Sequence, residues 1–403
     1  MKSYERLLKY VKIFSQSDEN SHITPSSAGQ WDMAKAVTED MKQIGVEDAS
    51  VNELCYVYGS IPATEGRESE PAIGLIAHMD TAPAFFGQGV SPRIIDNYDG
   101  GDIILNAEQN IVMETKVFPD LKNYIGKSLI VTDGTTLLGA DDKAGISEIL
   151  TALERIISEG ISHPAIKVAF TPDEEIGEGA DHFDVKGFGA DYAYTVDGGA
   201  LGELEYENFN AASAVISVRG NCIHPGEGKN RMKNAALMAM EFNQMLPPFE
   251  TPAHTEGYEG FYHLLEMNGN EETAVLKYII RDHDREIFEA RKATVVRITE
   301  YLNDKYGAGT FVSDVKDSYY NMREKVETRP EIVMKAKRAF ESNGVVPKVC
   351  PIRGGTDGAR LSYMGLLCPN LSTGGHNFHG KFEYIPIESM EKMTDVLITL
   401  LTE

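Results

Sequence analysis

An α/β fold with a mostly parallel sheet, interrupted by an inserted α+β unit, is what this sequence predicts. Three features carry that reading. Short apolar runs alternate with helical stretches between residues 73 and 196, as parallel strands joined by crossover helices do. From about residue 208 the order becomes β-α-β-β-α-β, the split unit of ferredoxin-like folds. Helix–strand alternation resumes at Glu331 and ends in a C-terminal helix from about Ile387. The expected division is a first domain of residues 1–207 and 321–403, with residues 208–320 inserted.

The elements follow in order. Residues 3–16 and 27–44 have helical periodicity, and Ser26 or Ser27 is placed to cap the second helix. Ile73-Gly74-Leu75-Ile76-Ala77 is a short buried strand running straight into His78. A polar, glycine-rich stretch from about 87 to 128 predicts loops and small hairpins. Ser128 to Val131, with a turn at Asp133-Gly134, leads to Asp141-Asp142 and a helix from Lys143 to about Glu159. Ile166 to Phe170 and Tyr192 to Val196 are the next strands. In the insertion, Ala211 to Val218 alternates as a strand, and Asn234 to Leu246 is a helix stopped by Pro247-Pro248. Gly260 to Met267 and Ala274 to Arg281 are strands joined by the hairpin turn Asn268-Gly269-Asn270. A long amphipathic helix, Arg285 to Lys305, and a strand, Thr310 to Val315, complete it.

With 403 residues and 42% hydrophobic content the chain can bury a full core. Its 62 acidic and 38 basic residues give a net charge of −24, which argues against nucleic-acid and anionic-membrane partners. Cys55, Cys222, Cys350 and Cys368 are scattered without a Cys-x-x-Cys pair, so neither a disulfide framework nor a thiolate zinc site is expected. No signal peptide or membrane span is read, and the expected location is cytoplasmic.

Five segments concentrate the chemistry: Ala77-His78-Met79-Asp80, Gly139-Ala140-Asp141-Asp142-Lys143, Pro172-Asp173-Glu174-Glu175, Thr195-Val196-Asp197-Gly198-Gly199 and His376-Asn377-Phe378-His379-Gly380. Imidazole and carboxylate suit Zn²⁺, Mn²⁺ or Co²⁺, and most of these groups end an apolar strand that aims them. His78 fits a metal ligand, with Asp80 turned to bond its other ring nitrogen. Adjacent acids repel unless a cation compensates, and one member of Asp141-Asp142 can bridge two ions. In Glu174-Glu175, one acid can bind metal while the other stays free as general base.

These segments, in this order and spacing, resemble the co-catalytic zinc exopeptidases of the M20 clan over essentially the whole chain. Asp133 to Gly145, Ile279-Ile280-Arg281-Asp282-His283-Asp284, Asn221 to Gly226 and Arg353-Gly354-Gly355-Thr356-Asp357-Gly358 are the more specific pointers, and within the clan they resemble the tripeptide aminopeptidases. The resemblance implies a zinc-exopeptidase-like catalytic domain, a ferredoxin-like lid that also serves dimerisation, and two zinc ions, with Mn or Co as substitutes. It implies His78 and Asp197 on one ion, Glu175 and His379 on the other, and Asp141 between them. Glu174 is the implied general base and Asp80 the group that orients His78. His224, followed here by the bulky, basic Lys229-Asn230-Arg231, is implied to polarise the scissile carbonyl, and Arg281 and Arg353 to hold the substrate carboxylate. A homodimer acting on short peptides is expected. An M20-type dipeptidase or N-acyl-amino-acid deacylase would use the same metal centre.

Overall fold

A computed structural model describes all 403 residues. They form two compact units, one of Met1–Tyr206, Glu324–Cys350 and Thr356–Glu403, the other of Glu207–Arg323 and Pro351–Gly355. The short segment Pro351–Gly355, which carries Arg353, thus belongs with the inserted residues, although the sequence reading assigns it to the first domain.

The first unit is organised by an eight-stranded sheet. Its strand order is Ser50–Val51, Val57–Ile61, Ile166–Thr171, Ile73–His78, Tyr192–Gly198, Asn370–Ser372, Glu203–Asn208, Lys348–Ile352. The four middle strands are parallel, and antiparallel pairs flank them. Ile73–His78 is buried along its whole length, as a strand covered on both faces must be. One cover comes from Ala140–Glu159, packed on that strand and on the helices Ser3–Tyr10 and Ile387–Thr402. A separate cluster of Tyr56, Ile76, Phe183, Phe188, Ala193 and Leu361 forms another part of the core. His78, the Glu174-Glu175 turn and Asp197 all lie at the C-terminal ends of parallel strands, where open α/β sheets place their sites.

The N-terminal helix is shorter than its periodicity suggests, ending at Tyr10. Beyond it the chain is taken up by other contacts: the Ser15 hydroxyl donates to the Met79 carbonyl at 2.8 Å, and Ser17 N donates to the Thr81 carbonyl at 3.2 Å. The next helix, Gly29–Gln43, has no side-chain cap. Ser26, expected as a cap, donates its hydroxyl to Asp173 at 2.5 Å instead. A buried carboxylate outcompetes a helix terminus for that hydroxyl.

In the second unit four antiparallel strands run in the order Phe261–Gly269, Thr273–Asp282, Asn210–Arg219, Phe311–Tyr319. Helices Ala235–Gln244 and Arg285–Tyr306 supply Met238, Phe242, Phe288, Val295 and Leu302 to its core, against Ile216, Leu276, Tyr278, Ile280 and Phe311. No helix of the molecule is long and apolar enough to cross a membrane.

Candidate metal centre

Strand ends, a helix start and a loop bring His78, Asp141, Glu175, Asp197 and His379 into one cluster in the first unit. Asp141 is its centre. One carboxylate oxygen lies 2.9 Å from His78 Nε2 and the other 2.9 Å from His379 Nε2. Asp197 approaches His78 Nε2 at 3.3 Å, and Glu175 approaches His379 Nε2 at 3.0 Å. Ligand atoms of His78, Asp141 and Glu175 lie within 4.8 Å of one another, as do those of His78, Asp142 and Asp197. Helical geometry becomes regular only at Lys143, because Asp141 and Asp142 hold non-helical torsions. Asp142 turns inward, and its carboxylate accepts from His78 N at 3.1 Å and Gly145 N at 3.2 Å.

The electrostatics are those of a site built for added positive charge. Burial alone would push the His78 pKa down, but Asp197, Asp141 and Asp80 hold it well above the usual imidazole range. Hydrogen bonds to Asp141 and Glu175 lift His379 to about 11. Burial, reinforced by the Asp141 charge, pushes Glu175 up to about 8, and burial pushes Asp197 to about 6. Glu174 is raised well above the carboxylate range, by burial first and then by Asp197. Carboxylates and imidazoles here compete for protons because several acids crowd one largely buried site. Glu175 Oε1 is moreover buried without a hydrogen-bond partner. That orphaned acceptor, with carboxylates on both imidazoles, is a donor set that divalent cations fit.

Asp80 does more than its sequence position suggests. His78 Nδ1 lies 3.1 Å from the Asp80 carbonyl and 3.3 Å from its carboxylate. The same carboxylate accepts from Glu174 N at 3.0 Å and Glu175 N at 3.1 Å, tying the His78 segment to the Glu174-Glu175 turn. Behind that turn Asp173, at φ 57°, accepts from Ser26 N and from Gln30 Nε2 at 2.6 Å. Ser26, Gln30 and Asp173 carry no periodic or motif signal that would pair them across 147 residues of chain.

The other expected residues lie in the second unit. His224 is exposed and begins a short turn with Pro225. Its Nδ1 accepts from Gly226 N at 3.2 Å, which leaves the proton of the neutral ring on Nε2. Arg281 Nη1 donates to the Arg353 carbonyl at 2.9 Å, while its Nε is buried and unpartnered. Arg353 is more fully engaged: Nη1 donates to the carbonyls of Gly257 and Glu259, and Nη2 to Thr255.

The chain belongs to peptidase family M20/M25/M40, whose model matches residues 132–403. That family includes metal-dependent peptidases, and a dinuclear metal-binding member from Bacillus subtilis shares this fold at a TM-score of 0.65 and 13% identity, covering 99% of this chain and 98% of that one. Among curated proteins the chain is similar to Peptidase T of Clostridium novyi, 55% identical over 98% of this chain and 97% of that protein. It is also 54% identical to Peptidase T of Geobacillus kaustophilus, over 98% and 97% of the two chains. The crystal structure of aminopeptidase PepT from Bacillus cereus has the same fold, with a TM-score of 0.78 at 22% identity, covering 100% of this chain and 97% of that one.

Proposed function

We infer that the protein is a metal-dependent aminopeptidase that releases the N-terminal residue of tripeptides. One observation carries this reading at the site: the two Asp141 oxygens, each 2.9 Å from a different histidine. Similarity to proteins named Peptidase T along nearly the whole chain supports the substrate class. His78 and Asp197 would hold one zinc ion, Glu175 and His379 the other, and Asp141 both; manganese or cobalt suits the same donors. Two such ions would supply Lewis acidity at the site, making a water easier to deprotonate and a peptide carbonyl easier to attack.

The protein's own groups do the rest. Glu174, free of ligand duty, takes the proton of the attacking water and returns it to the leaving amine. Asp80 fixes the His78 ring and, through its two amide contacts, the turn that carries Glu174. His224 offers its Nε2 proton to the developing oxyanion. Arg281 and Arg353 would hold the substrate carboxylate. The same reading places the enzyme in the cytoplasm, where its four unpaired cysteines stay reduced, as a homodimer.

A hydrolysis profile on free and N-acetylated di- and tripeptides tests it. Leu-Gly-Gly should lose its first residue, and blocking the amino group should abolish turnover. Hydrolysis of N-acetylated amino acids without any of tripeptides would make the protein a deacylase.

A further inference from the structure

Glu383 has no part in the roles assigned so far. It lies four residues beyond His379, is 2% exposed, and spends its carboxylate on the backbone of another loop. Oε2 accepts from Leu138 N at 2.7 Å and Gly139 N at 2.8 Å, and Oε1 from Asp141 N at 3.1 Å. The last of these is the amide of the residue whose side chain faces both imidazoles.

The setting of Glu383 is rigid. Tyr384–Pro386 pairs antiparallel with Leu129–Val131, in the register Tyr384 with Val131. His376 and Tyr384 exchange backbone hydrogen bonds at 2.9 and 3.1 Å, closing the loop that presents His379. One carboxylate therefore joins the His379 loop to the Asp141 backbone. Three amides held by one carboxyl group resist rotation of the segment far better than a single bond would. Gly139 can adopt the φ of 76° this segment needs at no steric cost.

We propose that Glu383 is the positioning residue of the candidate bridging carboxylate, fixing the Asp141 backbone so that one oxygen stays directed to the His78 side of the site and the other to the His379 side. This rests on the reading of Asp141 as the bridge. The ion held by Glu175 and His379 depends on it more, because its histidine and its bridging oxygen are joined through Glu383. The first ion keeps His78, which is held independently by Asp80.

Glu383→Gln preserves shape but replaces one accepting oxygen with a group that cannot accept. Zinc titration against a chromophoric chelator, with metal content by mass spectrometry, should show one ion bound about 10- to 100-fold more weakly and the other within threefold of wild type. At saturating zinc, KM for a tripeptide should match wild type. Wild-type affinity for both ions would overturn the proposal, whatever the melting temperature. If Glu383→Gln does not fold, Glu383→Asp, which keeps the charge but withdraws it by one methylene, is read by the same titration and the same limits. Asp141→Asn is the control for the underlying reading and should weaken both ions. If it keeps both at wild-type affinity, Asp141 is no bridge, a result distinct from an unaffected Glu383→Gln.

Discussion

In the second unit, the partly buried Arg291 lies between the buried Asp282, at 2.7 Å, and the more exposed Glu250, so its guanidinium meets two carboxylates. In the first unit, Asp141, Asp142, Glu174, Glu175 and Asp197 crowd around two imidazoles, and no arginine or lysine pairs with any of them. Burying charge is costly in both places, and the chain meets the cost internally in one and leaves it open in the other. A pair completed within the chain holds a fold together, whereas a set of acids left short of cations holds a place for something else. Glu148 sharpens the contrast further: it is buried in the first unit with neither carboxyl oxygen partnered.

The largest effect that could break this comparison lies in the Glu174-Glu175 pair. Glu174→Gln should keep two metal ions while kcat falls roughly 10³- to 10⁴-fold, since a base is lost and no ligand is. Glu175→Gln should instead lose or weaken one ion. Mass-spectrometric metal analysis decides between them, and a metal-poor Glu174→Gln beside a metal-replete Glu175→Gln would exchange the two roles.

His224→Ala comes next. It should cut kcat about 10²- to 10³-fold and leave metal content and melting temperature unchanged. A variant with wild-type kcat on a tripeptide would reduce His224 to a turn residue.

Stability separates the two units. Arg291→Met strands Asp282 and should cost about 3 kcal/mol in denaturant titrations. That loss should be equal with and without chelator, whereas chelation alone should lower the midpoint of the parent protein, because ligands that bind only the folded state stabilise it. A loss that depends on chelator would link Arg291 to the metal centre and undo the contrast.

The smallest effect concerns Glu148, whose pKa burial raises well above the ordinary carboxyl value. The folded state therefore keeps a proton that the unfolded chain releases above pH 4.5, and stability falls as pH rises from there towards the folded pKa. Glu148→Gln should remove that slope, of at most about 1.4 kcal/mol per pH unit, so that the variant exceeds the parent at pH 8 and converges with it towards pH 4.5. Parallel stability curves would mean the carboxyl is ionised in the fold.

What the sequence discloses follows the range of its signals. His78, Asp197 and the Glu174-Glu175 pair stand out because each follows an apolar run, and a strand end aims a side chain. The β-α-β-β-α-β order is equally plain, since its periodicities are local. The short strands Asn370–Ser372 and Lys348–Ile352 are not, for three to five residues carry too little pattern. Ser26 looks like a helix cap because its competing partner, Asp173, is invisible at a distance in sequence. Glu383 is hidden for the same reason. An acid that binds backbone amides needs no complementary side chain, so no motif records it.

The joining of Asp141 to His379 spans 238 residues of chain. A polypeptide emerging from the ribosome folds from its N-terminal end, and early segments wait for late ones. The strand carrying His78 and the acids at 141, 175 and 197 are synthesised long before the loop that brings His379 and Glu383. A chain released early, by a nonsense codon or a stalled ribosome, lacks the histidine that closes the cluster around Asp141. The cluster around Asp141 is therefore closed only near the end of synthesis.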